Sequence, residues 1–297
     1  MSHVELTEEQ EKAALQVLDG IKMSGDINTD DTTIAANIAH SIRLGFPQVK
    51  PQNTQADRVC LVGSGPSLND TFDELRQLYF EGAKIVTVNG SLEWCLARNL
   101  RPSAHIVLDA RPSNSRFVKT IVPNCRYFIA SQCAPETWAE LAGRPDVWIW
   151  HAAGPDTVHQ TVLKDYYGDA WHGIGGGTTV VTRALSLLRT LGWLRFDLFG
   201  VDSCWLGAEH HAFEQPENMA DRRIAFDVTP TGHPELKKTF WCSTWHVQQL
   251  EDFLQMVRIN GHHWLLNVHG EGLLAYAIQS AYEVSRSDNA APAAEGE

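Results

Sequence analysis

No apolar run in this chain approaches the roughly 18 residues needed to cross a bilayer, so no membrane-spanning helix is expected. No Cys-x-x-Cys pair is present: the six cysteines, at 60, 95, 125, 133, 204 and 242, are widely spaced and several sit in apolar runs, which predicts buried, reduced thiols. Residues 1 to 20 lack the basic, apolar and small-residue succession of a secretory signal, and the default expectation is a cytoplasmic protein. Basic stripes interleaved with aromatics are also missing. With a net charge of -12, the chain would repel a phosphate backbone, which argues against non-specific nucleic-acid binding. No repeat with a period of 20 to 50 residues is evident.

What is present is a full-sized globular composition, with 43% hydrophobic residues in 297. Apolar runs near 58–63, 84–89, 104–109, 126–130, 147–150, 195–200 and 263–268 alternate with helix-like segments. The most regular of these segments are Asp70 to Phe80, Ser91 to Asn99, Pro135 to Leu141, Thr178 to Leu191 and Thr244 to Asn260. Such alternation predicts an α/β fold with a doubly wound, mostly parallel, Rossmann-like sheet. Before it, Thr7 and Gln10 are spaced as a capping box, and Ile34, Ile38 and Ile42 follow Asp30 and Asp31 at helical spacing. The sequence therefore divides into an N-terminal helical preface (1–56), a nucleotide-binding catalytic domain (57–284) and a polar tail (285–297) expected to be disordered.

Ligands of doubly wound sheets bind outside the carboxyl ends of the strands. Those ends read Gly63-Ser64-Gly65-Pro66-Ser67, Asn89-Gly90, Asp109-Ala110-Arg111 and Gly200-Val201-Asp202. The first is a strand–glycine turn–helix junction of the phosphate-binding kind. It is neither Gly-x-Gly-x-x-Gly nor a Walker loop, because position 68 is Leu and the Lys-Ser/Thr pair is missing. A second glycine turn, Gly175-Gly176-Gly177-Thr178-Thr179, runs into a helix capped by one of the threonines. Asp109 and Asp202 each end an apolar run, where a carboxylate needs a cation, a donor or water. They are candidates to hold Mg²⁺ (or Mn²⁺), with helix capping or pairing to Arg111 as the simpler alternative. His210 and His211, just after Asp202, are candidates for a general base or a phosphate contact, or are plain loop histidines. Trp171 and Trp205 border the glycine turns and could stack on a base, whereas Trp138, Trp148, Trp150, Trp193 and Trp264 read as core.

The ordered set Gly63-Ser64-Gly65-Pro66-Ser67-Leu68, Asn89, the segment from Asn99 to Asp109, Gly176-Gly177-Thr178-Thr179 and the segment from Leu191 to Asp202 resembles the MptE-like family of 6-hydroxymethylpterin diphosphokinases. That family includes the motility accessory factor proteins and is similar, more distantly, to CMP-sialic-acid-dependent bacterial sialyltransferases. The resemblance spans about residues 58–215 and, more loosely, 244–280. It departs from the family pattern at Gly175 to Thr178 and at Arg101 to Ser103, and the later Gly-His segment that supplies the catalytic base in the sialyltransferases has no clear counterpart beyond Gly232-His233, which weighs against sugar transfer. The resemblance implies that Gly63 to Ser67 form a nucleotide loop, that Asn89 and Asp109 line its cleft, and that Thr178, Thr179 and Asp202 complete it. The activity implied is Mg²⁺-dependent diphosphotransfer from ATP to a hydroxymethyl group on a pterin-like heterocycle. Sugar transfer from a nucleotide sugar, or nucleotide binding without turnover, are the alternatives. The partners implied are a nucleotide and a small-molecule acceptor, with no membrane; a homo-oligomer is left open.

Overall fold

The computed structural model describes residues 29–153, 158–214, 222–230, 233–260 and 264–280. The capping box at Thr7, the paired histidines 262 and 263 and the tail from Ser285 lie outside the described residues.

Eight parallel strands form one sheet in the order β10-β7-β1-β2-β3-β4-β5-β6. They are β1 (Gln55–Val62), β2 (Lys84–Val88), β3 (Ala104–Val107), β4 (Arg126–Ala130), β5 (Val147–Ala152), β6 (Gly173–Ile174), β7 (Trp193–Phe199) and β10 (Leu265–Val268). The chain steps outward from β1 through β6, then returns to the other side of β1 with β7 and β10, so the strand order reverses at the β1/β7 junction. Parallel strands covered on both faces are apolar throughout rather than alternating. Val59 to Val62 of β1 accordingly have no solvent exposure. The seven apolar runs of the sequence correspond to seven of these strands, with boundaries shifted by a few residues.

Helices α1 (Asp31–Arg43), α2 (Phe72–Phe80), α3 (Ser91–Ala97), α4 (Pro135–Ala139), α5 (Val158–Tyr167), α6 (Val180–Thr190) and α7 (Thr244–Asn260) flank the sheet. In α1 the Asp30 carboxylate caps the first turn by accepting from the Thr33 N–H at 2.9 Å and the Thr33 hydroxyl at 2.7 Å. The helix is not a separate preface in packing terms. Ile34, Ile38 and Ile42 enter the same hydrophobic core as the strands, and Asn37 donates to the Ala110 and Gln132 carbonyls beyond β3 and β4.

Three elements had no counterpart in the sequence reading. β6 has only two residues, too few to show a period, and α5 was not among the regular helical segments of the sequence. The third is an antiparallel pair, β8 (Ile224–Val228) and β9 (Lys238–Cys242), outside the main sheet. Its signal was there: Ile224, Phe226 and Val228 alternate with Ala225 and Asp227 at the two-residue period of a half-buried strand. All six cysteines are free and buried. Burial pushes the thiols of Cys60, Cys95, Cys125, Cys204 and Cys242 up to about 12, so they act as small apolar groups. No helix among the described residues is long and apolar enough to cross a membrane.

One charge cluster clamps the left side of the sheet. Asp197 in β7 is 1% exposed and accepts from Arg58 of β1 through both Nε and, at 2.7 Å, Nη2. Asn267 Nδ2 of β10 lies 3.1 Å from the same carboxylate and His269 Nε2 2.9 Å from it. The other nitrogen of His269 reaches Glu74 of α2 at 2.7 Å, while its ring stacks on Phe199. Burial alone would raise the Asp197 pKa, but the donors from His269 and Arg58 outweigh it and the pKa is lowered. Burial likewise opposes charge on His269, and its hydrogen bonds to Asp197 and Glu74 win, so that pKa is raised.

The lowered Asp197 pKa adds stability above the ordinary carboxylate value near 4, lost as pH falls through the folded pKa. The raised His269 pKa adds stability below the ordinary imidazole value near 6.5, lost as pH rises through the folded pKa. Urea denaturation should therefore show wild-type stability declining above about pH 6.5, a decline that His269→Gln removes; an identical slope in the variant would exclude His269 as its source. At pH 6, Asp197→Ala leaves Arg58 without its partner and should cost about 3–5 kcal/mol.

Candidate functional site

The switch between β1 and β7 opens a cavity of about 710 Å³ at the carboxyl ends of the strands. Its floor is built by close approach. The Gly63 and Gly65 N–H groups donate to the Phe199 and Gly200 carbonyls at 2.8 and 2.7 Å, which lays the loop after β1 directly on the end of β7. A Cβ at Gly65 would sit 2.2 Å from Asp202 Oδ2 and 2.8 Å from the Gly200 oxygen, so only glycine fits. The Ser67 N–H donates to Asp202 Oδ2 at 3.0 Å. Three of the loop's amides are thus already bonded. Ser64 and Gly65 face the cavity, whereas Gly63, Pro66 and Ser67 hold the loop and Asp202 in place behind them. The glycines serve backbone packing, which the sequence pattern does not distinguish from an anion cradle.

Asp202 is 3% exposed, and its Oδ1 reaches no protein partner. Burial pushes its pKa up to about 6, the Ser67 hydrogen bonds only partly countering it. Asp109, after β3, is held differently. Both its oxygens accept from Arg111, whose Nε lies 3.0 and 3.1 Å from them and whose Nη2 lies 2.5 Å away, and its Oδ1 also accepts the Arg111 N–H at 2.9 Å. The arginine pairing weighed from the sequence is what the structure contains. Among the described residues no group of three or more acidic, histidine or cysteine side chains is arranged to hold a metal.

The cavity's second wall is the first turn of α6, where Thr178, Thr179, Val180 and Val181 line it. Thr179 caps the helix, its hydroxyl accepting the Thr182 N–H at 3.4 Å. Early N–H groups of a helix have no intrahelical acceptor and attract anions. The glycines before this turn do not reach the ligand space: a Cβ at Gly176 would strike Ser186 and one at Gly177 would strike Thr182 and Asp252, so they let the chain turn against α6 and α7, and Gly175 faces open space. Gln249 of α7 links the two walls, donating to the Thr179 hydroxyl at 3.1 Å and accepting from Ser203 at 3.0 Å.

Histidines form the third wall. His211 Nδ1 lies 3.2 Å from Ser64 Oγ, and the His210 ring packs 4.2 Å from His211 and 4.1 Å from Trp205. His246 joins them from the first turn of α7. Its Nδ1 accepts the Ser243 N–H at 2.9 Å, and burial, with His210 and His211 nearby, pushes its pKa down to about 3. A neutral ring accepting at Nδ1 carries its proton on Nε2 and is a fixed hydrogen-bond donor.

The structure thus gathers Ser64, Gly65, Asn89, Asp109, Thr178, Thr179, Asp202, His210 and His211 around one cavity. Gly90 instead packs under Phe213, where a Cβ would come within 2.8 Å of the ring. Trp205 packs on His210, Trp171 packs edge-on to His151, and His233 faces Glu235 at 2.9 Å. The residues missed by sequence reading are Arg111 as a wall residue, Asn114, Gln132, Trp245, His246 and Gln249. Trp245, His246 and Gln249 do fall at three- and four-residue spacing on α7, but nothing local shows that its first turn faces the cleft.

Among solved structures, the MAf glycosyltransferase from Magnetospirillum magneticum AMB-1 matches over 88% of this chain with a TM-score of 0.57 and 12% identity. The chain spans 43% of the length of that protein. A mammalian sialyltransferase matches over 89% of this chain and 86% of its own, with 13% identity and a TM-score of 0.41. At these identities the MAf likeness is one of fold. No curated protein matches the sequence. The model of the family described as 6-hydroxymethylpterin diphosphokinase MptE-like matches residues 32–208, more than half of the chain, and the protein belongs to that family.

Proposed function

We propose that the protein is a nucleotide-dependent transferase acting on an acceptor hydroxyl, and within that class a diphosphotransferase that uses ATP. The observation that carries this reading is Asp202: a buried carboxylate with one oxygen unpartnered, at the switch point of the sheet, opposite a helix N-terminus and beside two histidines. Mg²⁺ is commonly held by one or two carboxylates together with substrate phosphates, and Asp202 Oδ1 fits that role, whereas Asp109 joins it only by releasing Arg111. Mg²⁺ or Mn²⁺ bound there would neutralise phosphate charge. The α6 N-terminus attracts the phosphates, and His246 Nε2–H offers a fixed donor. A hydroxymethyl oxygen on a heterocycle attacks the β-phosphorus, its proton passing to His211 or His210. The bond from the β-phosphorus to the bridging oxygen breaks, and AMP leaves.

Sugar transfer is the second reading, favoured by a specific observation. With the Gly63, Gly65 and Ser67 amides already bonded, the glycine loop offers little to a polyphosphate chain, which suits the single phosphate of a nucleoside-monophosphate sugar. The fold likeness to the MAf glycosyltransferase agrees with it. The product separates the two. Incubation with Mg·ATP and 6-hydroxymethylpterin should yield AMP only when the acceptor is present; acceptor-dependent release of CMP or UDP from nucleotide sugars, without AMP formation from ATP, would replace the first reading with the second.

Two substitutions probe the site under either chemistry. Asp202→Asn should lower turnover at least 100-fold while leaving the apo melting temperature at pH 8 unchanged or higher. The sign follows from the raised pKa: a carboxyl shifted up to about 6 costs stability once ionised, and the amide removes that cost. Retained activity would remove Asp202 from the mechanism. His211→Asn should reduce kcat by about 10²–10⁴-fold, the usual contribution of a general base, with little change in KM; an unchanged kcat would transfer that role to His210.

A further inference from the structure

Asn114 is 1% exposed, lines the cavity, and neither its Nδ2 nor its Oδ1 reaches a protein partner. Its segment explains how it is held there. The short helix Pro112–Val118 follows β3 directly, and the Asn114 N–H donates to the Arg111 carbonyl at 3.1 Å, so the side chain is carried on a fixed turn. A carboxamide offers donors beside an acceptor in one plane, and burying it unpaired weakens the folded state. Three residues on, Phe117 turns toward the same space, and Val88 and Leu108 add apolar wall. Asn89, at the end of β2, contributes a second buried amide oxygen without a protein partner. An unsatisfied planar amide beside an aromatic ring and aliphatic walls has the chemistry of a slot for a flat heterocycle.

We propose that Asn114 and Phe117 form the nucleobase subsite of the cleft, with Asn114 pairing in two hydrogen bonds to a base edge that presents a donor next to an acceptor. Carboxamides read adenine edges in this bidentate way. The placement agrees with a nucleotide lying across the strand ends. In the order β7-β1-β2-β3, three strand spacings, about 14 Å, separate the end of β3 from the end of β7. That span suits a base at Asn114 and reacting phosphates at Asp202. The inference rests on reading the cleft as a nucleotide site, and the two can fail separately.

The test is titration calorimetry of wild type and Asn114→Leu with Mg·ATP, Mg·CTP, tripolyphosphate and 6-hydroxymethylpterin, together with apo melting curves. Leu has similar volume and needs no partner, so the apo melting temperature should hold or rise. Affinity for at least one nucleoside triphosphate should fall about 10- to 100-fold, the size of a lost bidentate pair, with tripolyphosphate binding unchanged. Phe117→Leu should weaken the same nucleotide and also spare tripolyphosphate. Unchanged nucleotide affinity in both variants would overturn the subsite. A loss confined to 6-hydroxymethylpterin would reassign it to the acceptor. A lower apo melting temperature with parallel loss of tripolyphosphate binding would make Asn114 structural. Wild type that binds neither nucleotide would remove the nucleotide reading itself, and this inference with it.

Discussion

The site depends on the contact between the end of β1 and the end of β7. Two strands distant in sequence meet there with no side chain between them: the Gly63 and Gly65 amides lie on the Phe199 and Gly200 carbonyls, and the Gly200 backbone in turn occupies the space a Cβ would take. This contact carries Asp202 past the end of β7 and under the loop, where Ser67 binds one of its oxygens and the other is buried without a protein partner. An open sheet needs a strand-order reversal to create a crevice, and here the reversal and the glycine loop coincide. Burial in that geometry is the main cause of the raised Asp202 pKa, and the nearby Asp70 charge adds to it.

A second constraint stands behind the first. The Arg58–Asp197–His269 cluster ties β1, β7 and β10 together one layer below the site, and Glu74 attaches α2 to it. His269 is followed by Gly270 and Gly272, which pack closely against Ser67 and Asp202, where a Cβ at either would come within 2.5 or 2.6 Å of an atom. The charged clamp therefore fixes the segment that closes the cavity floor. A buried ion pair adds little to stability compared with an apolar replacement, but it admits only one register of the three strands. In this fold, register is what sets Asp202 and Ser67 against each other.

Most of the sheet was legible because a parallel strand covered on both faces is an uninterrupted apolar run. Val59 to Val62 and Tyr127 to Ala130 announce themselves in that way. The strand ends followed, and with them Ser64, Asn89, Asp109 and Asp202, since their position depends only on where each run stops. What could not be read were contacts set by distant parts of the chain. Nothing near Thr244 says that its helix begins at the cleft, which hides Trp245, His246 and Gln249. Nothing near Gly176 and Gly177 says that their neighbours in space are Ser186, Met256 and Asp252. The glycine loop was legible as a loop, but its purpose was not: a glycine that admits a ligand and a glycine that admits another backbone carry the same local signal.

That ambiguity bears on the chemistry. A loop whose amides were open would grip a polyphosphate by itself; with the amides serving β7 and Asp202, the proposed function leaves phosphate binding to the α6 N-terminus, to the histidine wall and to any cation held by Asp202. The histidines are not equivalent in this division. His246 is fixed as a neutral donor by the Ser243 amide, so it cannot take up the acceptor's proton at its bonded nitrogen. In the proposed function His211, facing Ser64, and His210, packed between His211 and Trp205, are the candidate proton acceptors. Under that proposal, proton acceptance and charge stabilisation are assigned to different elements, the loop after β7 and the first turn of α7. The same division serves attack on phosphorus or on an anomeric carbon, because both begin with deprotonation of a hydroxyl and end with an anionic leaving group. The proposed roles therefore fit either transfer, and in that proposal the choice falls to the groups that would set the donor's length and charge: Asp202 at one end of the cleft and the β3 end at the other.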